Sequence, residues 1–250
     1  MTDANFFLGL PKDFKKLFSI YPPTIEQILS QKDFSLYKEM FLISQEEIED
    51  QIMEAKGSLE ETPPTPLEFL LINCYNNKEL EKKAIEGFIF FIHEKVTFLY
   101  EDKKILIGDL EEIVKNITSS EELKNLAFLD KDNYFDFQNM LRAAIGEDEK
   151  EPPDPDEDIR VKRIKAKGRY RDKIKAKKGM GISLITSMAA VCCIDGGLTP
   201  LNVGKITLVA LSNLMTIYQQ KEKYQIDIDS LLAGADKKKI NLTYWIKNFD

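Results

Sequence analysis

The chain has 250 residues, 43% apolar and 31% charged, with 35 Lys or Arg against 42 Asp or Glu and a net charge of −7. Its length allows one or two globular domains, each with a real core. Cys74, Cys192 and Cys193 follow no disulfide or zinc-ligand spacing, which excludes a cysteine-stapled or zinc-built fold and reads as reduced thiols.

In chain order, the first eighty residues read as helices punctuated by proline. Tyr21-Pro22-Pro23 stops the chain, and Thr24 caps a short helix carrying Ile25, Ile28 and Leu29. Ser44 and Glu47 have capping-box spacing ahead of Ile48 and Ile52, which predicts a helix ending near Gly57. Thr65, Pro66 and Glu68 start another, with Leu67, Leu70, Leu71 and Cys74 on one face. A further helix is expected from about Asn77 to His93. The one clear β signal is a hairpin near 95–108, in which Val96, Phe98 and Tyr100 alternate with Thr97 and Leu99 and Gly108 closes the return. Helical patterns resume at Asp109–Ile117, Glu121–Phe128 and Tyr134–Ile145.

At residues 147–178 the charge reverses. Eight carboxylates lie between Glu147 and Asp158, separated by Pro152, Pro153 and Pro155. From Arg160 to Lys178 there are eleven Lys or Arg and one acid, Asp172; the rest of the chain holds 24 positive and 41 negative charges. Proline and like-charge repulsion predict an extended acidic linker, and the basic stretch predicts a helix. The body therefore repels nucleic acid and anionic membrane, whereas the basic segment attracts both. Beyond it, Ile182 to Ile194 reads as a buried apolar helix, and Lys205 to Ala233 as a long amphipathic one stopped by Gly234. Leu242, Trp245, Ile246 and Phe249 mark a last short helix. The reading is a mainly α fold with a small β-hairpin: an amino-terminal helical module over 1–146, a linker over 147–158, a basic helix over 159–180 and a carboxy-terminal helical module over 181–250.

Catalytic signatures are missing. The single histidine, His93, ends a helix beside no other His or Cys and reads as a structural residue at the negative end of the dipole. There is no Gly-x-Ser-x-Gly elbow and no phosphate-cradling glycine loop, and Gly179-Met180-Gly181 reads as a joint. Asp227 and Asp229, two apart, share no helix face. No enzyme activity, metal or cofactor is expected. The basic segment offers Arg160, Arg163, Arg169, Arg171 and Lys173 as a charged handle. Only Tyr170 is interleaved as a stacking aromatic, so a solvated or protein-docking helix is preferred to nucleic-acid binding. The bulky apolar face of a membrane-surface helix is missing. Phe6 to Leu10 is too short for a signal-peptide core, and the run from Ile182 to Ile194 falls short of the about 20 residues a spanning helix needs. A cytoplasmic location is expected.

Two stretches carry a resemblance. The ending Tyr224-Gln225-Ile226-Asp227-Ile228-Asp229-Ser230-Leu231-Leu232-Ala233-Gly234-Ala235-Asp236, followed by Leu242-Thr243-Tyr244-Trp245-Ile246-Lys247-Asn248-Phe249, resembles that of tail assembly chaperones of tailed bacteriophages. The stretch Ile20-Tyr21-Pro22-Pro23-Thr24-Ile25-Glu26-Gln27-Ile28 is similar to the opening of such proteins in phages and prophages of Gram-positive hosts. Thr65 to Leu70, Lys95 to Phe98 and Ile107 to Asp109 fit the same lineage. The resemblance implies a non-enzymatic chaperone in the bacterial host cytoplasm that binds and solubilises the tape-measure protein during tail morphogenesis. Tail-tube protein and a second copy of the chain are further partners to consider. Tyr218, Tyr224, Leu231, Trp245 and Phe249 are the candidate partner-binding residues. The alternatives are a structural tail or connector component of the virion, and a nucleic-acid-binding protein using residues 160–178.

Overall fold

The computed structural model describes residues 3–56, 63–109, 115, 126–152, 154, 157–158, 160–162, 164–165, 184–194 and 197–235. The fold is mainly α-helical with two small antiparallel sheets. The amino-terminal body contains α1 (Ala4–Phe7), β1 (Lys12–Phe14), β2 (Phe18–Ile20), α2 (Ile25–Ser30), α3 (Phe34–Leu42), α4 (Gln45–Lys56), α5 (Pro66–Asn76) and α6 (Lys78–Ile92). It continues through β3 (Val96–Leu99), β4 (Lys104–Ile107), β5 (Phe128–Leu129) and α7 (Tyr134–Ala144). After the charged segment come α8 (Leu184–Ile194), a short 3₁₀ turn at Val203–Lys205 and α9 (Leu208–Leu232).

Helix starts follow local chemistry. Thr24 and Gln27 form a capping box, the Gln27 N–H donating to Thr24 Oγ1 at 3.3 Å and the Thr24 N–H to Gln27 Oε1 at 2.8 Å. Ser44 and Glu47 do the same at 2.8 and 3.4 Å. Thr65 and Glu68 repeat it at 3.0 and 3.3 Å, with Pro66 opening α5. Each box satisfies two of the four amide donors that a helix start leaves without intrahelical partners. At the far end of α6, His93 adopts φ 59° and stacks on Tyr21 with ring centroids 3.9 Å apart. It is thus a terminal packing residue.

The hairpin of β3 and β4 pairs Val96 with Ile107 and Leu99 with Lys104. Two strand features correct the sequence reading. Phe128 and Leu129, placed there at the end of a helical pattern and just after it, pair instead with Leu106 and Ile105 as a third strand. The exposed ladder edge of β4 takes up that short strand, which overrides any local helix preference. Residues 121–125 lie outside the described set. A second hairpin, β1 with β2, pairs Lys12 with Ile20 and Phe14 with Phe18. Its turn runs through Lys15 and Lys16 at φ 49° and 62°, residues with no left-handed preference of their own. Packing of Phe14 and Phe18 on Phe137, at 6.0 Å each, accompanies that strained turn.

The main core is aromatic. Phe41 of α3 meets Phe88 of α6 at 4.6 Å, and Phe88 stacks on Phe137 of α7 at 5.8 Å. All three are fully buried. The approach of α3 to α6 depends on Gly87: a Cβ there would sit 2.6 Å from Phe41 Cε2 and 3.0 Å from Tyr37 Cδ1. Below this core, Cys74 is buried, and desolvation, aided by the Glu81 carboxylate, pushes its thiol up to about 12. It stays protonated and behaves as a small apolar side chain.

The carboxy-terminal segment joins this body directly. The Ile25 N–H donates to the Ile206 carbonyl at 3.0 Å, and the Leu208 N–H to the Pro23 carbonyl at 3.3 Å. Buried Thr207 caps α9 by accepting from the Ala210 N–H at 3.1 Å, and its hydroxyl donates to the Phe6 carbonyl at 3.1 Å. Val209 belongs to the main core. A second cluster forms around Ile25, Val191 and Leu211, flanked by Leu184, Met188, Leu198 and Ile206. At its other end α9 stops in a Schellman turn, with Ala235 N–H donating to Ser230 and Gly234 N–H to Leu231. Gly234 supplies the φ of +94° this turn requires.

Two predictions follow from this packing. Gly87→Ala should destabilise the fold by about 1–3 kcal/mol through overpacking against Phe41, read as a lowered urea midpoint with an unchanged m-value. The Glu68 carboxyl is held below its ordinary range, first by the hydrogen bond from Lys103 at 2.7 Å and then by the Thr65 N–H. A depressed folded-state carboxyl adds stability above its unfolded pKa and loses it as pH falls through the folded value. Glu68→Gln should therefore lower Tm at pH 7, with the deficit shrinking as pH drops from about 5 towards 3.

Candidate binding surface

Helix α9 divides sharply in what it touches. Val209, Ala210 and Leu211 in its first turn are buried, and no residue from Ser212 to Leu232 is. At 1.5 Å per residue, about 30 Å of helix lies beyond the last core contact. That stretch is not uniformly polar. Leu214, Ile217, Lys221, Tyr224, Ile228 and Leu231 recur at alternating spacings of three and four, which aligns them along one side. All but Lys221 are half-exposed, while Ile226 and Leu232 beside them are 60% and 82% exposed. A helix ordinarily turns such a stripe inward, so a half-exposed one marks a surface suited to another helix.

Tyr224 and Leu231, two of the residues singled out from sequence, fall on this seam two turns apart. Tyr218 does not join them: it lies about a third of a turn round the helix. Its hydroxyl is hydrogen-bonded to Glu222, whose carboxylate, together with slight desolvation, moves the phenol up from its ordinary value. Trp245 and Phe249 lie outside the described residues. Of the charged handle, Arg160 opens a helical stretch that spans 160–162 and 164–165, and its N–H donates to Asp158 Oδ1 at 2.7 Å. Arg163, Arg169, Arg171 and Lys173 lie outside the described residues.

The charge reversal is met within the chain. Lys38 pairs with Glu147, and Lys150 with Glu47 at 3.8 Å. Asn139 clasps the Lys150 backbone in both directions, at 2.9 and 3.0 Å. Lys162 comes within 4.0 Å of Glu49, a carboxylate only 4% exposed. The segment thereby walls a cleft of about 830 Å³ whose floor includes Leu67, Tyr134 and Phe135. Sequence reasoning missed the polar pair beneath it. Gln138 Nε2 donates to the carbonyls of Phe41 and Ile43 at 2.7 and 2.9 Å, and Arg142 Nη2 donates to that of Leu42. Together they close the carbonyl end of α3 where no amide continues the helix. Burial draws the guanidinium down from its ordinary value, while Glu147 and Glu47 oppose the shift. The only signal was two polar residues four apart on the apolar side of α7, a spacing equally common on solvated faces.

Among the described residues, no group of three or more His, Cys, Asp or Glu is placed to hold a metal ion. Nor is any helix there long and apolar enough to cross a membrane. The arrangement offers surfaces for association and no reactive constellation around a cleft.

Arg142→Met should cost about 1–3 kcal/mol, since it strands the buried Leu42 carbonyl while keeping the side-chain volume. The check is chemical denaturation, paired with Lys150→Met, whose exposed ion pair should change stability by less than about 1 kcal/mol.

Comparison with known proteins places the carboxy-terminal part of the chain. Residues 174–250 match the family model of the YomV second domain, a phage-derived protein family. No curated protein and no solved structure matches the chain. The matched stretch includes all of α8 and α9, so the helix with the half-exposed seam lies wholly within the phage-related part, and a phage or prophage relationship is supported.

Proposed function

We propose that this chain is a non-enzymatic phage tail assembly chaperone, acting in the host cytoplasm, that binds and solubilises the tape-measure protein. The observation that carries the reading is the distal half of α9: a helix held at one end by the core, with an apolar seam half-exposed over about 30 Å. A tape-measure protein is a very long, largely apolar helical chain that must remain soluble until the tail tube assembles around it. Such a client needs a surface that accepts helices through an i, i+3, i+4 pattern without demanding one sequence. The seam of Leu214, Ile217, Tyr224, Ile228 and Leu231 has that form. The excess of acid over the rest of the chain keeps a complex of this kind soluble by net repulsion. The resemblance of the ending from Tyr224 to Asp236 to tail assembly chaperones points the same way, as does the phage relationship of residues 174–250.

Co-expression with the longest helical protein encoded nearby tests the proposal. That protein is expected in the soluble fraction only when this chain is present, and Ile217→Asp with Ile228→Asp is expected to return it to the pellet. Purified particles should lack this chain. Its presence in them would instead identify a structural virion component. A salt-sensitive gel shift lost on neutralising Arg169, Arg171 and Lys173 would redirect the assignment to nucleic acid.

A further inference from the structure

We propose that the distal half of α9 pairs with the same helix of a second copy, antiparallel, through the Leu214–Leu231 seam. The seam reads as heptad positions: Leu214, Lys221 and Ile228 are a residues, and Ile217, Tyr224 and Leu231 are d residues. Antiparallel pairing sets each a residue against a d residue of the other copy. Leu214 then meets Leu231, Ile217 meets Ile228, and Lys221 meets Tyr224. Every layer is complementary because the series is palindromic in character, Leu-Ile-Lys-Tyr-Ile-Leu. A two-fold axis between residues 222 and 223 generates all six layers, as an isologous interface requires.

Charge decides the orientation and the occupant. A parallel pair would set Lys221 against Lys221 in its central a layer, two ammonium groups with no counter-charge in the seam. The antiparallel pair instead lays each Lys221 over the ring of a Tyr224, where the cation meets the negative π face and the methylene stem packs on it. It also opposes the two helix dipoles head to tail. The seam is reachable because the helix leaves the core at Leu211. Leu214, at the near end, already packs partly on the second cluster of its own chain, so the outer layers differ in exposure. Five apolar residues per copy make a contact well below the about 1,600 Å² of a standard interface. The pairing is therefore weak and reversible, in the micromolar range, with monomer and dimer both populated. It does not depend on the tape-measure reading. If both hold, dimerisation and client binding compete for one seam.

The experiment uses the full chain. Analytical ultracentrifugation from roughly 1 to 200 µM should show the mass rising from one chain of 28.8 kDa towards two. Ile228→Asp should hold it at one chain throughout, and Lys221→Leu should tighten association at least tenfold. Both variants should keep the wild-type circular dichroism and urea midpoint, since neither residue touches the core. Orientation is read in a Cys192→Ser, Cys193→Ser background. Mixing the Ile217→Cys and Ile228→Cys chains should give the 217–228 disulfide in large excess over either variant alone. A monomer at every concentration, a dimer indifferent to Ile228→Asp, or 217–217 and 228–228 crosslinks in place of 217–228 would overturn the proposal. A dimer that persists when co-expression fails would remove the client and leave the pairing intact.

Discussion

The close approach of α3 to α6 at Gly87 sets the spacing on which the rest of the fold depends. With Phe41 lodged where a Cβ would stand, its ring reaches Phe88, and Phe88 in turn supports Phe137. That chain of rings fixes where α7 lies, and α7 brings two things with it. Its apolar side receives Phe14 and Phe18 from the first hairpin. Gln138 and Arg142 then fall opposite the last carbonyls of α3 and satisfy them. One missing methyl group thus governs an aromatic stack, a hairpin and a helix end. Interiors packed to crystal density transmit a shift of this size instead of absorbing it.

The charge reversal has a different physical status. Its ion pairs are mostly exposed, and pairs of that kind contribute about 0–1 kcal/mol each. Lys38 with Glu147 and Lys150 with Glu47 therefore guide the path of the linker more than they stabilise the fold. The two hydrogen bonds from Asn139 to the Lys150 backbone are specific in a way the charges are not, because they fix one residue of the linker to one residue of α7. Lys162 near Glu49 is the exception among the pairs, since a carboxylate that is almost fully buried loses water and gains most from a cation close by. The acidic and basic halves are placed against the body by a few defined contacts, with the electrostatic field adding direction at long range.

What was legible in the sequence was local. Thr24 with Gln27, Ser44 with Glu47, Thr65 with Glu68, and Gly234 after α9 all act within four residues, so their chemistry can be read without knowing the partner elements. The β3–β4 hairpin was readable for the same reason, through alternation and a polar turn. The β1–β2 hairpin was not, because Lys15 and Lys16 take left-handed conformations only under tertiary packing. Phe128 and Leu129 became a strand because β4 offered an edge, a fact located twenty residues away. Gln138 and Arg142 looked like surface residues since nothing local distinguishes a side chain bound for another helix's carbonyls. For the candidate surface, Tyr224 and Leu231 were named for their character, and the seam joining them needed the helix register. The depth at which α9 leaves the core needed the structure.

That last point separates two regimes within a single helix. Up to Leu211, side chains are chosen by volume: Thr207 is hydrogen-bonded to Phe6, and Val209 and Leu211 fill fixed spaces. Beyond it, the same helix keeps an apolar seam but gives up a fixed neighbour. A helix of 25 residues in isolation is only marginally stable in water, so its distal turns borrow order from the anchored end. The Schellman turn at Gly234 closes the carbonyl end and helps hold the last turns in register. The seam is therefore presented already helical. A partner that binds it bears less of the ordering cost than one meeting an unfolded segment, and this pre-organisation lets a small apolar contact hold at micromolar strength. Reversibility follows from the same geometry: the contact is narrow and interrupted at Lys221, so no partner, identical or different, is held there permanently.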